Sequence, residues 1–252
     1  PDADVPDTGT LDGGTSDAGV PACPSVASGT TYHVATNGND SGSGATDKPF
    51  LTITKALSVA EPGDRVLVSE GVYRERVTFP KSGAPGKPII LEGAGAVTID
   101  GGDRVTGWVP APEIGANVYK NTQLTYAPWN MTWKGKYILR LGEDVPQDKA
   151  IETLVKGPEG WDTYQGPPYR SWDGVEAMFG SYDQVLYVRF GGNNNPNDED
   201  LTFAPQKKGA VNVDGTSYAT ICNLTLENAF HGVLVRNGAS HVIVHGNKII
   251  GG

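Results

Sequence analysis

The chain is 252 residues long with a formal net charge of −9, and glycine and proline together make up about a fifth of it, which predicts many turns. That length suffices for one large all-β unit or two smaller domains with a sizeable core. The acidic balance excludes a basic nucleic-acid footprint, and no apolar run approaches the eighteen or so residues of a membrane span.

Much of the charge is local. Residues 1–24 hold five aspartates, Asp2, Asp4, Asp7, Asp12 and Asp17, and no Lys or Arg, which leaves 24 acids against 20 bases in the remainder. With scarcely a large apolar side chain, this stretch cannot offset the entropy of ordering, so residues 1–30 read as a disordered Asp/Pro/Gly-rich linker. Its aspartates lack the spacing of a calcium loop. There is no initiator Met and no basic-then-apolar leader, so the segment reads as a processed product or an internal fragment. Cys23 and Cys222 permit one disulfide, which suits an extracytosolic setting, or stand as two free thiols.

From Thr31 the texture changes. "TYHVAT" alternates as a strand, "NGNDSGSGATDKPF" forms a long turn, and Ile53, Leu57 and Ala60 fall at helical spacing between an N-cap at Thr52 and a stop at Pro62-Gly63. Brief alternations follow, each bounded by turn formers: Val66 and Val68, Val77 and Phe79, Ile89 and Leu91, Val97 and Ile99 point one way. The same texture returns at "GAVNVDG", "YATICNLTLEN", "HGVLVRNG" and "HVIVHGNKIIGG". Aligning the second and fourth of these superposes Ala219 on Val242, Ile221 on Val244, Leu224 on Asn247 and Leu226 on Ile249, a constant offset of 23 residues. This is a repeat. A unit of that size buries its apolar face only by stacking in parallel on its neighbours, the logic of a solenoid. The last unit, ending in "SHVIVHGNKIIGG", then reads as an unfinished coil and the chain as cut after it.

"YHVATNGNDSGSGATDKPFLTITKALSVAEPGDRVLVSEGVYRERVTF" resembles the N-terminal cap and first coil of secreted right-handed parallel β-helix proteins of the pectate-lyase-like superfamily. It is most similar to the subset that includes family 9 polysaccharide lyases and uncharacterised bacterial surface proteins. The resemblance implies an all-β right-handed parallel β-helix with an N-terminal capping helix. Residues 31–102 then hold the cap and first coils, and residues 209–252 hold resumed coils. The leader similarly resembles the tethers of bacterial surface lipoproteins, implying a secreted or cell-surface protein with a lipid anchor upstream of this segment. A monomer acting on a polysaccharide is expected, and family activity implies lyase chemistry with Ca2+.

Residues 103–208 suspend the pattern and form an inserted aromatic-rich β region. All five tryptophans (Trp108, Trp129, Trp133, Trp161, Trp172) fall here, together with seven tyrosines. Such rings either fill a small core or stack on sugar faces. Trp161, Tyr164, Tyr169 and Trp172, set among Gly and Pro, are the candidates for binding substrate. Asp198, Glu199 and Asp200 read as a solvated turn.

β-Elimination on a uronic acid needs a base beside the carboxylate and a cation for the developing enolate. Strict alternation sends Tyr218, Thr220, Cys222, His241, Ile243 and His245 outward on one sheet. His241 and His245 are therefore the candidate acid or base residues, although strand spacing places them roughly 13 Å apart, too far to share a metal. Asp100 is the candidate calcium ligand, against a simple turn role for "DGG". Asn247 is expected to begin a structural amide ladder, and Arg236 to be solvated. Cys222 could reach Cys23 only if the linker folds back over the coil. Hydrolysis would need paired carboxylates, for which Asp173 and Glu176 lie nearest in sequence. The leading expectation is an exported polysaccharide lyase with most catalytic residues beyond Gly252. The alternatives are a non-catalytic binding or adhesive protein and a glycoside hydrolase on the same fold.

Overall fold

The structure is a computed structural model that describes residues 23, 29–124, 128, 130–141, 154, 177–205 and 207–250. Strands dominate it. The first part holds β1 (Thr31–Val34), α1 (Ile53–Val59), β2 (Arg65–Tyr73), β3 (Val77–Thr78) and β4 (Ile89–Asp100). Helix α1 starts where the sequence places it: Thr52 accepts a hydrogen bond from the Lys55 amide, and Glu75 accepts from the amides of Ile53 and Thr54. These acceptors satisfy amides that have no partner within the helix. Ile53, Ala56 and Leu57 on its inner face are fully buried.

A second group follows: β5 (Asp103–Arg104), β6 (Val109–Pro110), β7 (Val118–Asn121), β8 (Met131–Trp133), β9 (Lys136–Tyr137), β10 (Leu139–Leu141), β11 (Ala177–Tyr182), β12 (Val185–Phe190) and β13 (Leu201–Phe203). Most of these pair antiparallel. The last group is β14 (Gly209–Asp214), β15 (Ala219–Cys222), β16 (Thr225–Glu227), β17 (His231–Arg236), β18 (Val242–His245) and β19 (Lys248–Ile250).

The first and last groups pair only in parallel, in the order β1-β2-β4-β15-β18, with β16 bridging β4 and β19, and in a separate sheet β17-β14-β3. The 23-residue offset is the register itself: Ala219 faces Val242, Ile221 faces Val244 and Leu226 faces Ile249. Each unit runs a strand, a short bend, a second strand, a corner and a third strand, so its inward residues meet those of the neighbouring units. Val66, Val68, Ile89, Leu91, Val97, Ile99, Val211, Val213, Ile221 and Leu226 share one core. Val244 and Ile249, in register with buried residues, are 45% and 53% exposed, because among the described residues their strands have a neighbour on one side only.

Asn247 takes the expected structural role. Its Oδ1 accepts from the Leu224 amide and its Nδ2 donates to the Ile221 carbonyl of the unit before, satisfying the backbone where the strand bends.

Two expectations require correction. The outward face of β15 is not open to solvent: Cys23 and Cys222 form a disulfide and pack against Ile90. Thr220 and Cys222 beside it are fully buried. Cys23 itself does reach this sheet. Arg236 is also not simply solvated, since its Nε and Nη2 both donate to Asp214.

Candidate functional site

The expected substrate-binding residues Trp161, Tyr164, Tyr169 and Trp172 lie outside the described residues, as do Asp173 and Glu176. Trp108 and Trp133 are core residues of the second group, and their indoles donate to the Val105 carbonyl and to Glu199. The acidic turn is more engaged than its sequence suggests. Glu199 also accepts from Asn194 and pairs with Lys134. Hydrogen bonds from Trp133, then Asn194, hold its carboxyl below the usual range.

The two histidines are not brought into a common site. His241 sits in the turn before β18 at φ +55°, stacked on Tyr218 of the preceding unit with ring centroids 4.3 Å apart. His245 lies on β18, in register with disulfide-bonded Cys222.

A different set converges at the corner where β4 gives way to the second group. Ile99 pairs with Tyr73, so Arg74 and Asp100 come next to each other at the ends of β2 and β4. Asp100 in turn pairs with Glu227 of β16. With Ile99 and Leu226 fully buried, alternation turns Asp100 and Glu227 to the outer face. Thr98, Thr225 and Lys248 form the adjoining outward row. A cation and two carboxylates thus stack in successive units: Arg74, Asp100, Glu227.

The electrostatics follow from this stacking. Arg74 donates through Nη1 to Asp100 at 3.3 Å and through Nη2 to Asp200 at 3.5 Å. Arg104 donates to the other oxygen of Asp200 at 2.7 Å, and Arg76 pairs with Asp103. Asp100 is only 4% exposed, and its Oδ1 accepts from the Gly102 amide at 3.1 Å. Burial, then the adjacent Asp100 charge, pushes the Glu227 carboxyl up, while Arg74 and Lys248 oppose the shift. The corner therefore sets an ion-paired carboxylate beside one that holds its proton more tightly, the pattern by which sites divide acid and base roles.

Asp100 does not suit calcium. One of its oxygens faces a guanidinium and the other an amide, whereas calcium needs six to eight oxygen ligands. No group of three or more potential ligands assembles among the described residues. The sequence hid this corner because Arg74, Asp100 and Glu227 are distant in the chain. No constant spacing joined them, since the register steps 26 residues from Tyr73 to Ile99 and 127 from Ile99 to Leu226.

Comparison with known proteins agrees with the resemblance drawn from the sequence. A family described as a protein of unknown function, DUF1565, matches residues 36–89. The uncharacterized protein YwoF of Bacillus subtilis (strain 168) is 40% identical over 64 residues, 25% of this chain and 14% of that protein. Pectate lyase L of Dickeya chrysanthemi is 32% identical over 90 residues, 32% of this chain and 21% of that protein. The matches thus span less than a quarter of these relatives. The solved complex of XylC with xylose shares the fold, with a TM-score of 0.56 and 23% identity over 79% of this chain and 35% of that one. The chain is similar to the pectate-lyase-like β-helix proteins.

Proposed function

We propose that this chain forms part of a right-handed parallel β-helix that binds an acidic polysaccharide and cleaves it by β-elimination. Residues 31–102 and 209–252 supply the coils, and residues 103–208 form an insert at one corner. Similarity to pectate lyase L supports the substrate class, and a secreted or cell-surface location fits it. The observation that carries the reading is the column Arg74–Asp100–Glu227 facing outward beside the insert.

In this mechanism Glu227, as the carboxylate, takes the proton from the carbon next to the uronate carboxyl. Its raised proton affinity makes it a better base than an ordinary glutamate. Arg74 and Lys248 offset the charge that develops on the enolate. The freed electron pair becomes a carbon–carbon double bond, the glycosidic bond breaks, and the departing oxygen takes up the proton. Asp100 acts by holding Arg74.

A second reading, hydrolysis, is favoured by one observation: Asp100 and Glu227 are register partners, so their backbones lie about 5 Å apart. Retaining hydrolases keep their two carboxyls at a similar distance.

The test is to incubate the 252-residue chain with polygalacturonate, alginate and glycosaminoglycans, with calcium and with chelator. Ultraviolet-absorbing unsaturated ends, lost in Glu227→Gln, are the expected result. New reducing ends without unsaturation would replace elimination by hydrolysis, and binding without either product would make the protein an adhesive module. His241→Ala and His245→Ala in the same assay decide whether either histidine contributes.

A further inference from the structure

The column adjoins a groove of about 340 Å³ lined by Gly93, Gly95, Ala96, Asn223, Thr225 and Lys248 among others, within the range of ligand clefts. Thr225 and Lys248 are register partners on β16 and β19. Glu227 follows Thr225 by two residues on the same face. Lys248 already acts on Glu227 through its charge. A ligand lying in the groove is therefore led along β16 to Glu227.

The floor is bare for backbone reasons. A Cβ on Gly93 would fall 2.1 Å from the Asn223 carbonyl oxygen, so that position excludes any side chain. Gly95 has φ +95°, and a Cβ there would meet only Glu70, at 3.6 Å. Glu70 on β2 and Lys248 on β19 lie three strand spacings apart, roughly 14 Å. The groove thus crosses the strands between an acid at one side and a cation at the other. Among the described residues, no ion-pair partner engages Lys248.

We propose that this groove is a glycosyl subsite for Glu227 that takes a unit bearing a carboxylate. The carboxylate rests on Lys248, and the sugar hydroxyls meet Thr225 and Glu70. The polarity fixes direction, since a carboxylate turned towards Glu70 is repelled while one turned towards Lys248 forms a charge-assisted hydrogen bond. This rests on the reading that Glu227 acts on an acidic polysaccharide.

Calorimetric titration of trigalacturonate and of neutral galactotriose into the 252-residue chain carrying Glu227→Gln tests it without turnover. Adding Lys248→Met should weaken trigalacturonate about tenfold, the size of one lost charged hydrogen bond, and leave galactotriose unaffected. Adding Gly95→Asn, a residue that tolerates positive φ, should weaken both by filling the floor. Lys248 is exposed, so that variant should keep the thermal midpoint of its parent. Unchanged trigalacturonate binding in both variants, with elimination intact in the unsubstituted chain, would overturn the subsite and leave the function standing. Equal losses for both ligands in Lys248→Met would overturn carboxylate recognition. No binding and no cleavage of acidic saccharide by the unsubstituted chain would overturn both readings.

Discussion

Glu227 shows how one side chain links position to pH. Burial acts first on its carboxyl and the Asp100 charge second, and both raise its affinity for the proton. The folded protein then binds that proton more tightly than the unfolded chain. The resulting stability is complete below the unfolded glutamate pKa and is lost as pH rises through the folded value. Glu227→Gln removes the dependence, so its thermal midpoint relative to the unsubstituted chain should climb from about pH 4 towards neutrality. A difference that stays flat would mean that Glu227 is solvated. In the activity assay the same substitution should lower the rate by about 10² to 10⁴. The acid limb of the unsubstituted profile should lie above the ordinary glutamate range and vanish in the variant. Asn247 offers a structural contrast on the same strands. Asn247→Ala forfeits two hydrogen bonds to the preceding unit and should cost about 1–3 kcal/mol in denaturant unfolding.

Individual elements are tied together by contacts that no local propensity dictates. The Cys23–Cys222 disulfide spans 199 residues, so it removes much of the loop entropy of the unfolded chain. Reduction, or Cys23→Ala with Cys222→Ala, should destabilise the protein by about 2–5 kcal/mol, read from denaturant midpoints with and without reductant. The loss should be greater than the chain-entropy term if Ile90 becomes solvated as the cover lifts. Helix α1 is short at seven residues and depends on acceptors outside itself. Thr52→Ala should cost about 1 kcal/mol, measured the same way.

Across the molecule, the parallel strands and the second group have separate cores. Ile99, Val211, Leu226 and their neighbours form one cluster. Met131, Phe179, Val188 and Phe190 belong to another. The strands β5 and β13 and the Arg74–Asp200–Arg104 ion pairs connect them. Exposed ion pairs of this kind contribute little, so scanning calorimetry should resolve two transitions. Phe179→Ala should lower one of them and Ile99→Ala the other, each by the 2–5 kcal/mol typical of such core truncations. A single transition lowered equally by both would show that the cores unfold as one.

The repeat was legible in the sequence because an inward side chain must recur wherever a strand packs on its neighbour, and Ala219/Val242 and Ile221/Val244 recur at the spacing that the register obeys. Helix α1 was legible from Thr52 to its stop, since capping and apolar spacing are local. Alternation predicted the outward direction of Cys222 but not its burial, because Cys23 reaches it from 199 residues away and packs with it on Ile90. The corner of Arg74, Asp100 and Glu227 was equally invisible, since each is an ordinary charged residue among its chain neighbours. Local pattern therefore determined which residues face the core and how units repeat, whereas stacking alone decided which distant charges meet at one corner. Charge interactions depend on separation in space, and that separation exists only once the strands have paired.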